Sequence, residues 1–184
     1  MTISDDHLRR VLVEVQRRGG IGPVPISEAI EHARRYVRAL DGVTGHPASA
    51  VDLGSGGGLP ALVIAVDRPM WQFLLVERRA KRADLLRYAV RALGLLDRVD
   101  VTDDDVHDVI RRGHRASFDV VTARSFAPLP ITLQIASELL TDNGWLAVSE
   151  PPSGTVHLPD LTALGLVDEQ VVDGIHRFRK AHAS

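Results

Sequence analysis

The segment Val51–Gly58 is the feature that most constrains the fold, because it reads Val-Asp-Leu-Gly-Ser-Gly-Gly-Gly. Glycines allow a main chain to turn sharply and to approach a ligand closely. Such a loop is informative only between a strand and a helix; here Ala48–Leu53 predicts the strand and Leu59–Val66 the helix. The loop therefore predicts a ligand site at the carboxyl end of a buried strand.

Strand and helix patterns alternate through the rest of the chain. The predicted strands are Ala48–Leu53, Trp71–Val76, Arg98–Val101, Phe118–Ala123 and Trp145–Ser149, and the helices after the first four are Leu59–Val66, Arg79–Leu93, Val106–Arg112 and Leu129–Leu140. Such units give a parallel sheet with helices on both faces. Two last strands, Leu166–Val172 and Ile175–His182, flank the hairpin signal Asp173-Gly174. We therefore predict an α/β fold of the Rossmann-like class I methyltransferase type, with a mostly parallel seven-stranded sheet and a C-terminal β-hairpin.

Two amphipathic helices are predicted before the first strand. Apolar residues recur at helical spacing over residues 4–18 and again over Ile26–Leu40, with Ser27 near the N-cap of the second helix. The polar stretch Asp41–Pro47 is a natural connector. We therefore expect a small helical N-terminal extension over residues 1–46 and a ligand-binding domain over residues 47–184.

Composition excludes several classes of protein. The 184 residues include no Cys, which rules out disulfides, thiol nucleophiles and Cys-ligated metals, and the histidines have no metal-ligand spacing. The chain has no run of about 20 apolar residues and does not start like a signal peptide. We expect a cytoplasmic protein with no metal and no membrane contact. The sequence does not fix the oligomeric state, for which a monomer is the expectation.

Acidic residues follow three of the predicted strands. Asp52 lies two residues before the first loop glycine, where a carboxylate suits the amino group of a methionine but repels a pyrophosphate. Glu77 ends the second strand and can accept two ribose hydroxyls, while Asp103-Asp104-Asp105 follows the third, where an adenine amino group could bind. These features favour S-adenosyl-L-methionine over a nicotinamide cofactor. The predicted cofactor-binding residues are Asp52, Gly54, Ser55, Gly56, Gly58, Glu77, Asp103, Asp104 and Arg124.

Other interpretations of the acids stay open. The run Asp103–Asp105 also suits the cap of the helix that follows it. A divalent metal at this run is a weaker alternative.

Four segments resemble the glucose-inhibited division protein B family, which methylates guanine N7 in small-subunit (16S) ribosomal RNA. They are Ile21-Gly22-Pro23 followed by Glu31-His32, the loop Asp52–Pro60, Glu77 with Lys81-Arg82 and Leu85-Leu86, and Phe118–Arg124 with Ala127-Pro128-Leu129. Together the segments span about residues 20–150. The resemblance implies a cytoplasmic S-adenosylmethionine-dependent methyltransferase that acts in rRNA processing, with ribosomal RNA or the small ribosomal subunit as partner.

The chain departs from the family pattern at the ends of two strands. Thr102-Asp103-Asp104 stands where the family usually has Arg-Ala-Glu, and Ser149-Glu150 where it usually has Lys-Gly. Both changes remove a positive charge from the rim where RNA would lie. They leave open a divergent paralogue that methylates a small molecule or peptide at N or O, with Glu150 or His157 as base. A non-catalytic module that binds S-adenosylmethionine is a further alternative.

Arg124 is the candidate catalytic residue on the acceptor side. Guanine N7 has an in-plane lone pair and no proton, so methyl transfer to it needs positioning and electrostatics but no general base. An arginine that gripped O6 and N7 together would occupy the nucleophile. We therefore expect Arg124 to contact a phosphate or O6 alone. The alternative is a structural salt bridge to Asp103 or Asp104.

Overall fold

The structure, a computed structural model, describes residues 3–42, 48–149 and 158–182. Its helices are α1 (Asp5–Arg17), α2 (Ile26–Ala39), α3 (Ala61–Asp67), α4 (Ala80–Ala92), α5 (Val106–Val109) and α6 (Leu129–Leu139). Its strands are β1 (Ser49–Leu53), β2 (Gln72–Val76), β3 (Val99–Thr102), β4 (Phe118–Ala123), β5 (Leu140–Ser149), β6 (Leu166–Val172) and β7 (Ile175–Lys180). A π-helical turn, Ile110–His114, continues α5 where the sequence predicted helix only to Arg112.

One seven-stranded sheet organises the chain, in the order β3-β2-β1-β4-β5-β7-β6. The first five strands are parallel, and β7 pairs antiparallel with β5 and β6. Asp173 and Gly174 both take positive φ, as a two-residue hairpin turn of this type requires. The predicted Rossmann-like class I methyltransferase fold is confirmed. The strand order reverses between β1 and β4, and ligands of such sheets bind outside the carboxyl ends of strands at this point.

The sheet carries an apolar cluster on each face. One cluster includes Leu12 of α1, Ile30 of α2, Leu62 of α3 and Leu86 of α4. The other includes residues of α5 and α6, such as Leu133. The two N-terminal helices therefore share one hydrophobic core with the sheet and with α3 and α4. The predicted domain boundary between residues 46 and 47 lies outside the described residues.

The first two helices differ in how they begin. In α1 the predicted apolar face is buried, and the Ser4 side chain accepts a hydrogen bond from the His7 N–H. Helix α2 begins at Ile26 with Pro25 in the N-cap position and no side-chain cap. The predicted start at Ile26 is confirmed, and Ser27 lies in the first turn of the helix, two residues after the N-cap position that Pro25 occupies with a φ of −56°.

Strand β5 begins earlier than predicted. The sequence placed a helix to Leu140 and a strand only from Trp145, whereas β5 starts at Leu140 and contains Asp142-Asn143-Gly144. Leu140 pairs with Phe118 before the register shifts, and Asn143 takes a φ of 62°. The polar turn signal thus forms an irregularity inside the strand, because Leu140 and Trp145 pair with β4 on either side of it. No helix in the described parts of the chain is long and apolar enough to cross a membrane.

Candidate functional site

The glycine loop turns sharply at the carboxyl end of β1. Gly54 and Gly56 have φ values of 66° and 54°, in the left-handed region that favours glycine. The Ser55 N–H donates to the Val76 carbonyl at 3.0 Å, and the Ser55 hydroxyl donates to the Asp52 carbonyl at 3.0 Å. Ser55 is buried, and the hydrogen bond from its hydroxyl to the Asp52 carbonyl closes the turn. The loop is thereby fixed against the ends of β1 and β2.

The glycines of this loop have different surroundings. A Cβ on Gly56 would meet only the Gly54 carbonyl at 3.7 Å, so this stretch of main chain is open to a ligand. A Cβ on Gly57 would lie 2.4 Å from the Gly20 carbonyl oxygen. On Gly58, with a φ of 90°, it would lie 2.3 Å from Leu62 Cδ1. Gly56 therefore leaves room for a ligand, whereas Gly57 and Gly58 permit close packing.

Asp52 is the most deeply buried acid of the site, with 1% of its surface exposed. Its Oδ1 accepts a hydrogen bond of 2.6 Å from the Thr122 hydroxyl, while its buried Oδ2 has no partner among the described residues. Burial raises the pKa of Asp52 to about 6, against the lowering effects of Thr122, Ser55 and the Arg124 charge. An unpartnered buried carboxylate oxygen is costly, and the amino group of a bound ligand would satisfy it.

Glu77 supports the loop from the end of β2. Its Oε2 accepts from the Gly56 N–H at 3.0 Å, and its Oε1 accepts from the Arg79 N–H at 2.9 Å. Each carboxylate oxygen has a second lone pair, so two hydroxyls of a ribose could still donate to this side chain. Glu77 therefore fits its predicted role and also holds the main chain of the loop in place.

The aspartates after β3 pair with arginines. Asp103 accepts from Arg87 Nη2 at 2.7 Å, and this bond lowers the pKa of the Asp103 carboxyl. Asp104 accepts from Thr102 Oγ1 at 2.8 Å and pairs with Arg112. Asp105 caps α5, where its side chain accepts from the His107 N–H at 2.9 Å. The capping alternative thus holds for Asp105, while cofactor contacts of Asp103 and Asp104 stay predictions.

Arg124 directly follows β4 and is half-buried. Across residues 3–42, 48–149 and 158–182 it makes no hydrogen bond or ion pair. The alternative of a salt bridge to Asp103 or Asp104 is wrong, because Arg87 and Arg112 occupy those carboxylates. Burial raises the pKa of Asp52 and lowers that of His32, and the Arg124 charge acts on both groups, opposing the effect of burial at Asp52 and adding to it at His32. Arg124 and Asp52 therefore belong to one site.

Three residues of this site were missed by the sequence reasoning. Thr122 binds Asp52, and the buried Tyr36 hydroxyl lies between the ends of β4 and β5. His32 has a buried Nδ1 without a partner among the described residues, and burial lowers its pKa. One sequence feature pointed to Tyr36: it is one of two tyrosines in the chain, and its polar hydroxyl belongs to the apolar face of α2.

The site is suited to an ammonium-bearing, ribose-bearing ligand. Asp52 can receive the amino group, Glu77 the ribose, and the open main chain of Gly56 can lie against the ligand. No group of three or more His, Asp or Glu side chains arranged to hold a metal occurs in the part of the chain that the structure describes.

Several solved structures with this fold have methyltransferase in their names. Cofactor-bound Rv0187 from MTB superposes with a TM-score of 0.72 at 16% identity, covering 98% of this chain and 92% of that one. An O-methyltransferase family protein from Burkholderia thailandensis gives a TM-score of 0.63 at 15% identity, covering 84% and 57%. At these identities the likeness shows the fold.

Sequence comparison identifies the family. The model for rRNA small subunit methyltransferase G matches residues 26–149. Proteins named ribosomal RNA small subunit methyltransferase G include one from Kineococcus radiotolerans, 39% identical over 129 residues (70% of this chain, 50% of that protein). One from Rhizorhabdus wittichii is 40% identical over 98 residues (53% and 43%). The chain thus spans half or less of the length of these two curated relatives.

A relative from Syntrophomonas wolfei subsp. wolfei, with the same name, matches more completely. It is 30% identical over 152 residues, covering 82% of this chain and 69% of that protein. The family model and this relative confirm the resemblance to the glucose-inhibited division protein B family: the chain belongs to the rRNA small subunit methyltransferase G family.

Proposed function

We propose that the chain is an S-adenosylmethionine-dependent methyltransferase that acts on guanine N7 of small-subunit (16S) ribosomal RNA. The observation that carries this function is the unpartnered Oδ2 of Asp52, buried at the point where the strand order reverses. A buried acid with a free acceptor beneath a glycine loop suits the amino group of this cofactor. The family name supports the ribosomal acceptor.

The cofactor is S-adenosylmethionine, held by residues of β1 and β2. Asp52 receives the amino group, Glu77 receives the ribose hydroxyls, and Gly56 lets the cofactor approach the main chain, whereas Gly54 permits close packing, because a Cβ there would lie 2.9 Å from Phe126 Cδ2. Asp103 and Asp104 lie at the edge where the adenine would bind. When bound, S-adenosylmethionine supplies a methyl group on its sulfonium.

The acceptor side of the site needs no proton acceptor. Guanine N7 offers a lone pair and loses no proton, so the chain's task is to orient the base and exclude water. Arg124, unpaired among the described residues, contacts O6 or a phosphate and leaves N7 free for the methyl group.

We further propose that the chain acts in the cytoplasm as a monomer. Residues 1–46 form a helical extension and residues 47–184 the cofactor-binding domain. Helix α2 contributes His32 and Tyr36 to the same edge of the sheet as Arg124, so the extension belongs to the acceptor side.

Two assays test this function. Calorimetric titration should show binding of S-adenosylmethionine and its demethylated product but not of NADH. Incubation with labelled cofactor and either naked 16S rRNA or the small subunit should give 7-methylguanosine, detected by mass spectrometry of nucleosides. Cofactor binding without any methylated product would support a non-catalytic module and overturn the enzymatic assignment.

A paralogue with another acceptor is the remaining outcome of these assays. It would bind the cofactor, leave rRNA unmethylated and transfer methyl groups to small molecules or peptides in a cell extract. Its candidate bases, Glu150 and His157, lie outside the described residues.

A further inference from the structure

Tyr36 connects the N-terminal helices to the acceptor edge of the sheet. The side chain is 0% exposed, and its hydroxyl donates to the Ala123 carbonyl at 3.0 Å. The same hydroxyl accepts from the Ser149 N–H at 2.9 Å. Ala123 and Val148 are the last residues paired between β4 and β5. One phenol on α2 therefore joins the two strands where their ladder ends.

The strand ends that Tyr36 joins lead directly into the site. Ala123 is followed by Arg124, the cation we place on the acceptor side. Thr122, which precedes Ala123, holds Asp52 Oδ1 at 2.6 Å. The position of the Tyr36 hydroxyl therefore affects where Arg124 lies relative to Asp52.

The surroundings of Tyr36 favour a rigid arrangement. Burial raises the pKa of Tyr36 to about 12, so the hydroxyl keeps its proton and continues to donate at neutral pH. The ring of His32 lies one helical turn earlier, with a centroid 6.1 Å from that of Tyr36. Removing the hydroxyl would take a hydrogen-bond partner from the Ala123 carbonyl and from the Ser149 N–H, and buried backbone groups that lose partners force local rearrangement.

We propose that Tyr36 is a positioning residue for methyl transfer: its hydroxyl holds the ends of β4 and β5 so that Arg124 meets the acceptor. This role rests on the proposed function, because it assumes that Arg124 contacts the methyl acceptor. It makes α2 part of the acceptor side of the site. Cofactor binding through Asp52 and Glu77 should be largely independent of it.

The test is Tyr36→Phe in the full-length chain, which keeps the ring and removes only the hydroxyl. We expect kcat for rRNA methylation to fall by about ten- to hundredfold, as small displacements of catalytic groups do. The Kd for S-adenosylmethionine should change by less than about twofold, since the cofactor residues are untouched. Rates are expressed per mole of bound cofactor, so unfolded protein does not contribute.

A double-mutant cycle separates positioning from general destabilisation. In an Arg124→Lys background, Tyr36→Phe should lower kcat by less than about threefold, because the residue it positions is already impaired. If the two losses multiply instead, Tyr36 does not act through Arg124 and the inference is overturned. Loss of cofactor binding in Tyr36→Phe would overturn it too, because the defect would then not be confined to the acceptor side.

Tyr88→Phe is the matched control. Tyr88 is the only other tyrosine of the chain and lies on α4. The guanidinium carbon of Arg18 lies 4.4 Å from the centroid of its ring. Wild-type kcat is expected for this variant. Equal rates for Tyr36→Phe and wild type would contradict the positioning role alone, whereas an inactive wild type on every rRNA acceptor would contradict the proposed function.

Discussion

The Asp52 carboxyl combines the deepest burial of any acid in the site with an unsatisfied acceptor. Its Oδ2 has no donor among the described residues, and burial raises its pKa to about 6. In the ionised form it can pair with an ammonium group. In the protonated form it cannot, so the protonation state of a single residue should control cofactor affinity near neutral pH.

We therefore predict that affinity for S-adenosylmethionine falls as the pH drops from 7 to 5. Asp52 becomes protonated as the pH passes below its pKa of about 6. The amino group of the ligand, with an ordinary pKa of about 8, stays charged over this range. Below the Asp52 pKa the affinity should fall by up to about tenfold per pH unit. Calorimetric titration across this range measures the change.

Two variants identify the titrating group. Asp52→Asn should weaken binding by about ten- to hundredfold, the usual loss of a charged hydrogen bond, and should abolish the pH dependence. His32 is a second titratable side chain of the site, and burial, together with the charges of Arg124 and Arg35, lowers its pKa from the ordinary value of 6.5. His32→Gln should retain the pH dependence. A flat profile in His32→Gln would assign the titration to His32 instead.

At this scale the sequence predicted the acids but not their partners. Asp52 and Glu77 were recognisable from their spacing to the glycines. The Tyr36 hydroxyl, in contrast, bonds to residues 87 and 113 positions away, and no local pattern encodes such a contact. The pairing of Asp104 with Arg112 likewise depends on the π-helical turn after α5, which helical periodicity did not predict.

Among the structural elements, the turn between α1 and α2 makes an unexpected contact with the glycine loop. A Cβ on Gly57 would lie 2.4 Å from the Gly20 carbonyl oxygen and 2.5 Å from Ile21 Cγ1. Gly57 does not take a positive φ, so its need for glycine is steric. The loop is thus packed on one side by the N-terminal helices while Gly56 remains open.

Gly57→Ala is therefore expected to lower the free energy of unfolding by about 1–3 kcal/mol, the usual cost of overpacking. The matched control is Gly22→Ala in the same turn, where a Cβ meets nothing within 4 Å and φ is not positive. Its effect should be within about 0.5 kcal/mol. Both variants change the unfolded chain alike, so their difference in urea denaturation isolates the packing. Equal stability of the two would show that the turn does not pack on the loop.

Element types were largely predictable from periodicity, and element ends were not. The apolar face of α1 and the Asp173-Gly174 hairpin follow from local residue patterns, and both are confirmed. The start of β5 was missed because Asp142-Asn143-Gly144 is locally a turn, whereas pairing of Leu140 with Phe118 extends the strand. Pairing between strands therefore set the start of β5, although the local residues favour a turn there.

For the molecule as a whole, a net charge of −2 conceals an uneven distribution of ion pairs. Many arginines are neutralised by acids, among them Arg17, Arg34, Arg38, Arg68, Arg87, Arg111, Arg112 and Arg179. Within the described ranges, no ion pair involves Arg78, Arg79, Lys81 or Arg82. These four cations follow Glu77 at the carboxyl edge of the sheet: Arg78 and Arg79 precede α4, and Lys81 and Arg82 lie in its first turn. The basic segment after β2 can therefore attract phosphates although the protein is almost neutral.

We predict that this basic segment supplies phosphate contacts to ribosomal RNA. Each phosphate contact that is lost should reduce the slope of log K against log salt by about 0.7–0.9. Lys81→Gln combined with Arg82→Gln should therefore weaken RNA binding at low salt and make that slope shallower by about 1.5. Filter binding to 16S rRNA over a series of salt concentrations measures both quantities.

The control is Arg17→Gln combined with Arg111→Gln. It removes the same net charge from exposed residues that are already paired with Glu14 and Asp108, and it should leave the slope unchanged. If both double variants change the slope equally, RNA binding depends on the net charge of the protein, and the segment after Glu77 is not the contact surface.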